Sequence, residues 1–85
     1  MKVKFPVLIR YPKQLHTLLK YLDSKGLHWY SGLSLIDSKF IRTPIWIFYS
    51  KEGISYWDIN PANKNEFDLD YILQHTYYTP KEVEI

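Results

Sequence analysis

Residues 45–59 read IWIFYSKEGISYWDI, and this stretch decides the fold. Two apolar, aromatic runs flank the turn signal Ser50-Lys51-Glu52-Gly53, which is typical of a β-hairpin. A type I turn with Gly53 in the left-handed position pairs Ser50 with Ile54, and this register fixes which side chains share a face. One face is then predicted to carry Ile45, Ile47, Tyr49, Trp57 and Ile59, and the other Trp46, Phe48, Ile54 and Tyr56.

The residues before the hairpin predict a strand and then a helix. Alternating apolar residues from 3 to 9 indicate a strand with one buried face, and Pro6 places that strand at an edge or gives it a bulge. Pro12 begins a helix, and Gly26 ends it with Leu27 folded back on the last turn. We expect residues 28–32 to form a short strand that enters a turn, and residues 33–44 a long connection. The helix buries a stripe at the spacing i, i+3, i+4, i+7: Leu15, Leu18, Leu19 and Leu22.

The residues after the hairpin are harder to interpret. Residues 60–65 have the composition of a loop. From 67 to 73 the alternation favours a strand, although Leu69, Ile72 and Leu73 also fit a helical stripe. Residues 79–82 resemble a helix start, and we expect a docked or frayed tail there.

These elements predict a single α+β domain over residues 1–85. Its small antiparallel sheet of about four strands has one main helix packed on one face, in the order β-α-β-β-β. Residues 1–59 form the strand-helix-hairpin core, and residues 60–85 add a C-terminal strand and tail.

Composition narrows the class of protein. With 85 residues, 46% of them hydrophobic and 24% charged, the chain is suited to one folded domain. A net charge of +2 is weak for an autonomous nucleic-acid binder. No cysteine is present, which excludes a disulfide framework and favours a cytoplasmic setting. No apolar run reaches the about 18 residues of a membrane span, so we expect no membrane association.

No catalytic constellation is visible in the sequence. Nucleophile motifs are missing, and His16, His28 and His75 lack the spacing of metal ligands. Asp68 and Asp70 would face the same way on a strand, as an acid–base pair requires, but the solvent side of an ordinary strand is the better explanation of them. We therefore predict a protein that is not an enzyme, with no cofactor and no metal site.

The aromatic residues are the strongest functional signal. They make up 18% of the chain, more than so small a core easily encloses. One helix covers one face of the sheet, so the face with Trp46, Phe48 and Tyr56 is either an exposed interface or covered by the C-terminal segment. Both arrangements remain open. The candidate binding residues are Trp46, Phe48, Tyr56, Trp29, Tyr30 and Ser31.

Residues 3–59 resemble small proteins without an assigned activity that bacteriophages and prophages encode. The resemblance lies in the leucine-striped helix, in a Gly-x-x-Trp-x-Ser-Gly segment matched at Gly26, Trp29, Ser31 and Gly32, and in the strand that begins at Ile54. It implies action in the host cytoplasm by stoichiometric binding, which inhibits a host defence protein or sequesters its nucleotide signal.

Two further interpretations use the same rings. In the first, a nucleic-acid or nucleotide-binding module stacks bases on them while basic side chains contact phosphates. In the second, two copies of the chain pair through the aromatic face as a homo-oligomer. The basic side chains of the first are Lys2, Lys4, Arg10 and Arg42.

Overall fold

The structure of the protein is a computed structural model that describes residues 1–37, 41–60 and 62–85. Residues 38–40 and 61, from the predicted connections 33–44 and 60–65, lie outside the described residues. The α+β class is confirmed, but the strands form two small antiparallel sheets, β2-β3-β4 and β1-β5, instead of one. The elements are β1 (Lys2–Phe5), β2 (Val7–Ile9), α1 (Pro12–Ser24), β3 (Ile45–Ser50), β4 (Gly53–Asp58), α2 (Leu69–Gln74) and β5 (Lys81–Glu84), with 3₁₀ helices at Leu35–Asp37 and Lys64–Phe67.

Pro6 divides the predicted first strand in two. Proline has no N–H for a sheet ladder, and the strand is interrupted at this residue. The part before Pro6, β1, pairs with β5, and the part after it, β2, is an edge strand paired with β3. The C-terminal tail is thus docked as a strand, which the predicted helix start at residues 79–82 did not indicate.

The main helix agrees with its prediction. Leu15, Leu19 and Leu22 are buried, and Pro12 is the first helical residue. Leu18, the fourth member of the predicted stripe, is only half-buried against the same cluster. At the C-terminal end, the Leu27 N–H donates to the Leu22 carbonyl at 3.2 Å, which closes a Schellman turn. Gly26 supplies the positive φ, +82°, that this turn requires.

The hairpin forms, but its register is one residue away from the prediction. The loop contains only Lys51 and Glu52, and Gly53 is already a strand residue paired with Ser50. Because side chains alternate between the two faces of a strand, a difference of one residue moves every side chain of β4 to the opposite face. The predicted composition of both faces is therefore wrong for β4.

Each face of the sheet β2-β3-β4 packs in its own apolar cluster. On the face toward α1, Ile54 of β4 joins Ile45 and Ile47 of β3. On the other face, Trp57 is opposite Trp46. Both faces are apolar, as predicted, with different members.

The second face is covered by α2, where the alternation favoured a strand. Ile72 of α2 is fully buried against Trp46 and Phe48, so the helical stripe is the pattern that the fold uses. Asp68 explains the outcome: its side chain accepts a hydrogen bond from the Asp70 N–H at 2.9 Å and caps the helix. The expected pair of carboxylates on a strand face is therefore wrong.

Replacement of the cap tests this assignment. We expect Asp68→Ala to lower the free energy of unfolding by about 0.5–2 kcal/mol, the usual cost of an N-cap. Asp70→Asn removes only a favourable first-turn charge and should cost about 0.3–1 kcal/mol or less. Urea unfolding followed by circular dichroism measures both. A loss in Asp70→Asn larger than that in Asp68→Ala would contradict the cap.

Candidate functional site

A concave pocket of about 350 Å³ lies beside the N-terminal half of β4. Four of the six predicted binding residues line it, although they come from two segments about 25 positions apart in the chain. We call it the ring pocket, and its lining residues are Trp29, Tyr30, Ser31, Leu33, Ile54, Ser55 and Tyr56.

Residues 28–30, which we call the strap, attach one wall of the pocket to β4. The Ile54 N–H donates to the His28 carbonyl at 2.8 Å, and the Tyr30 N–H donates to the Ile54 carbonyl at 2.8 Å. Trp29 forms an isolated parallel β-bridge with Ile54. The strand expected over residues 28–32 is therefore reduced to this single bridge. The chain turns away after it, with the Gly32 N–H bonded to the Trp29 carbonyl at 2.8 Å.

Gly53 allows the strap to lie this close to β4. A Cβ atom at this position would be 2.9 Å from the His28 oxygen and 2.9 Å from the Tyr30 nitrogen and Cα. Heavy atoms do not approach a real Cβ so closely, and these neighbours are backbone atoms held by hydrogen bonds. Gly53 is therefore a close-approach residue as well as part of the hairpin.

The rings of the pocket differ in exposure. Trp29 is only 6% exposed, and its ring meets that of Tyr56 edge to face at a centroid distance of 5.4 Å. Tyr56 is 39% exposed and Tyr30 is 65% exposed. Leu33, also exposed, extends the apolar wall. Trp29 thus forms a fixed floor, and Tyr30 and Tyr56 present ring surface to a ligand.

Trp46 and Phe48 are not part of this surface. They are 7% and 6% exposed, and α2 covers them. The Trp46 indole N–H donates to the Glu66 carbonyl at 3.1 Å, and Phe48 meets Tyr78 edge to face at 4.9 Å. Their expected place on an exposed face shared with Tyr56 is wrong, because the register separates them from Tyr56 and the C-terminal segment covers them.

A second pocket of about 280 Å³ lies on the opposite side of β4. We call it the tyrosine pocket. Burial raises the pKa of the Tyr78 phenol, and its oxygen accepts a hydrogen bond from the Tyr49 N–H at 3.3 Å. The lining residues are Phe48, Ser55, Tyr56, Trp57, Thr76, Tyr77 and Tyr78.

A larger depression, of about 650 Å³, lies elsewhere, between the N-terminus and α1. Its walls include Met1, Lys13 and Gln14, which are exposed side chains with several rotatable bonds. Holding such side chains against a ligand costs conformational entropy, whereas the ring pocket is built from rings and hydrogen-bonded backbone. The ring pocket is therefore the better candidate site.

Sequence reasoning missed Leu33, Ile54 and Ser55 of the ring pocket. Gly53 was the available signal, because a glycine inside a strand marks a place where another backbone approaches. It indicates that a second backbone lies close to β4, and the structure identifies that backbone as residues 28–30.

The ring pocket is lined by aromatic, aliphatic and hydroxyl-bearing residues. In the part of the chain that the structure describes, it contains hydroxyls and rings but no carboxylate, imidazole, lysine or arginine. Across residues 1–37, 41–60 and 62–85, no group of three or more histidine, aspartate or glutamate side chains is placed to hold a metal ion. No helix among these residues has the length and apolar character to cross a membrane.

The chain was compared with protein-family models, with curated proteins and with solved structures, and it matches none of them. The geometry of the pockets and of β4 therefore carries the functional argument.

Proposed function

We propose that this protein is a stoichiometric binding module and that the ring pocket receives an apolar part of a partner protein. The exposed rings of Tyr30 and Tyr56 above the fixed Trp29 carry this proposal. Rigid aromatic surface brings a large contact area at low entropic cost, and such residues dominate binding energy at protein interfaces. The hydroxyl of Ser31 adds a directional hydrogen bond at this pocket.

The charges favour a protein partner over a nucleotide or nucleic acid. None of the four basic residues named above for phosphate contacts, all of which the structure describes, lines either pocket. Lys2 pairs with Glu82 at 3.9 Å, and the guanidinium of Arg10 lies over the Phe67 ring at 5.8 Å. Phosphate binding relies on lysine and arginine at the site, and the described lining residues of the ring pocket include neither.

The resemblance to phage-encoded proteins supports a partner in an infected bacterial cell. We propose that the protein binds a host defence protein in the host cytoplasm and inhibits it through this binding, without catalysing a reaction. Sequestration of a nucleotide signal is less well supported, because that would require a site for phosphate beside the rings.

The proposal predicts that partner capture depends on the ring pocket. Wild-type protein immobilised and exposed to bacterial lysate should retain one protein at about a 1:1 ratio. We expect Tyr30→Ala and Tyr56→Ala each to weaken this retention by at least about thirtyfold, which corresponds to the about 2 kcal/mol of an aromatic hot spot. Quantitative mass spectrometry of the retained proteins measures the effect.

Tyr11→Ala is the matched control, because Tyr11 is 62% exposed and does not line the ring pocket. It should retain the partner as wild type does. Retention that is equal in all four proteins would contradict the proposal. So would retention of nucleic acid or nucleotide that weakens steeply as salt rises, since that dependence marks phosphate contacts.

A further inference from the structure

The outer edge of β4 carries backbone groups that point away from β3. Ile54 directs its N–H and C=O to the strap, not to β3. Because the direction of these groups alternates along an antiparallel strand, Tyr56 and Asp58 direct theirs to the same outer side. No hydrogen-bond partner for these four groups is present among the residues that the structure describes. The strap thus occupies the edge at Ile54 and leaves it open beyond.

The two pockets lie on the two sides of this open edge. Ser55 and Tyr56 line both of them. The ring pocket is on the side of the Tyr56 ring, and the tyrosine pocket is on the side of Phe48, the residue paired with Ser55. Both pockets are therefore level with the same two residues of β4, one on each face of the sheet.

We propose that β4 binds an extended segment of another protein as an added strand, with two consecutive apolar or aromatic side chains in the two pockets. Neighbouring residues of a strand point to opposite faces, so one enters the ring pocket and the next enters the tyrosine pocket. The backbone of the segment satisfies the outward groups of Tyr56 and Asp58. This inference rests on the proposed function and specifies the form of the partner.

Asp58 adds a charge preference. Its side chain is exposed at the far end of the open edge, so a lysine or arginine a few residues from the apolar pair is favoured in the bound segment. The same carboxylate disfavours a second copy of this chain as the occupant.

Three symmetric pairings of β4 with itself are available, and each has a defect. A two-fold axis at Tyr56 would pair Asp58 with Ile54 of the second copy, but the strap already occupies the edge at Ile54. A two-fold axis at Trp57 would place Asp58 beside the apolar ring pocket of the second copy. A two-fold axis at Asp58 would place the carboxylates of the two copies opposite each other. A segment of a different protein avoids all three.

The test uses an array of end-capped, eight-residue peptides made of threonine with one lysine. A central pair of consecutive residues is varied among glycine, alanine, valine, leucine, phenylalanine and tryptophan. We expect the protein to bind peptides with two large apolar residues at least tenfold more tightly than those with glycine or alanine. Backbone N-methylation of the best peptide should weaken binding at least tenfold at one set of alternate residues and little at the other set, because alternate amides face β4.

The substitution Asp58→Pro tests the open edge by changing the protein instead of the peptide. Asp58→Pro removes an outward N–H without touching the bonds between β3 and β4, and proline is tolerated at such an edge position. We expect it to weaken peptide binding at least tenfold, while Asp58→Asn, which keeps the N–H, weakens it by about threefold or less. Circular dichroism melting verifies that both variants are folded, and if Asp58→Pro is not, the methylated peptides carry the same test.

Three outcomes overturn the inference. The first is an array in which no peptide binds better than the glycine pair. The second is peptide binding that Tyr30→Ala abolishes but that neither Asp58→Pro nor N-methylation weakens. In that case the ring pocket and the proposed function are supported, and strand addition is not. The third is a concentration-dependent doubling of mass in light scattering that Asp58→Pro abolishes, which would make a second copy of the chain the occupant.

Discussion

Gly53→Ala is expected to lower the free energy of unfolding by about 3 kcal/mol or more. Gly53 has φ +145°, a conformation that costs side-chain-bearing residues about 1–3 kcal/mol. A Cβ atom would also lie 2.9 Å from the His28 oxygen, and overpacking of this kind costs a further 1–3 kcal/mol or so. In a domain of this size, the change corresponds to a melting temperature lower by at least about 10 °C, which calorimetry measures.

Alanine substitutions of the other two glycines distinguish the cost of backbone strain from the cost of the steric clash. Gly26 and Gly32 also have positive φ, +82° and +91°, but a Cβ atom at either meets nothing within 4 Å. Alanine at these positions should therefore cost only about 1–2 kcal/mol. A Gly53→Ala protein as stable as the Gly26→Ala protein would mean that the strap does not lie against β4.

Local signals in the sequence were sufficient for α1. Its apolar spacing, Pro12 and Gly26 all act within one element, so the burial of Leu15, Leu19 and Leu22 and the Schellman turn could be predicted without tertiary information. The missing N–H of Pro6 predicted an edge or a bulge in the first strand, but its division between two sheets depends on the distant partners β5 and β3.

The register of the hairpin could not be decided locally. Ser50-Lys51-Glu52-Gly53 is compatible with a loop that ends in a left-handed glycine and with the two-residue loop that forms. What selects the second is distant: Ile54 bonds to the strap at both its N–H and its C=O. A contact about 25 residues away in sequence thus decides which face each residue of β4 occupies.

The C-terminal region was ambiguous for a similar reason. Alternation predicted a strand at residues 67–73, but the second apolar face of the sheet needs cover, and α2 provides it with Ile72. The alternation of residues 81–84 is too short to indicate a strand, and β5 exists because β1 offers it a partner.

Four of the six predicted binding residues line the ring pocket and two do not, and this difference has a physical cause. The sequence indicates Trp29, Tyr30 and Ser31 as candidate binding residues, and the predicted register groups Tyr56 with Trp46. The formed register takes Tyr56 away from Trp46 and places it against Trp29. Residue type therefore identified the rings that meet in the ring pocket, while their grouping required the pairing of the strands.

Trp46→Ala is expected to lower the free energy of unfolding by about 3–5 kcal/mol. Trp46 is 7% exposed against α2, and truncation of a buried tryptophan costs about 3–5 kcal/mol. The indole also satisfies the Glu66 carbonyl, which would lose its hydrogen bond. A domain of 85 residues has a total stability of about 4–13 kcal/mol, so the loss is a large share of it. Guanidinium unfolding followed by fluorescence measures the change.

Tyr56→Ala is the matched control, since it removes a ring of the same hairpin that faces solvent in part. Its loss of stability should be about 1 kcal/mol, while its loss of partner binding should be large. Ile72→Ala should resemble Trp46→Ala, with a cost of about 2–5 kcal/mol, because both side chains fill the same cluster. If Trp46→Ala melts as wild type does but fails to bind, α2 does not cover this face in solution, and Trp46 and Phe48 would again be candidates for the binding surface.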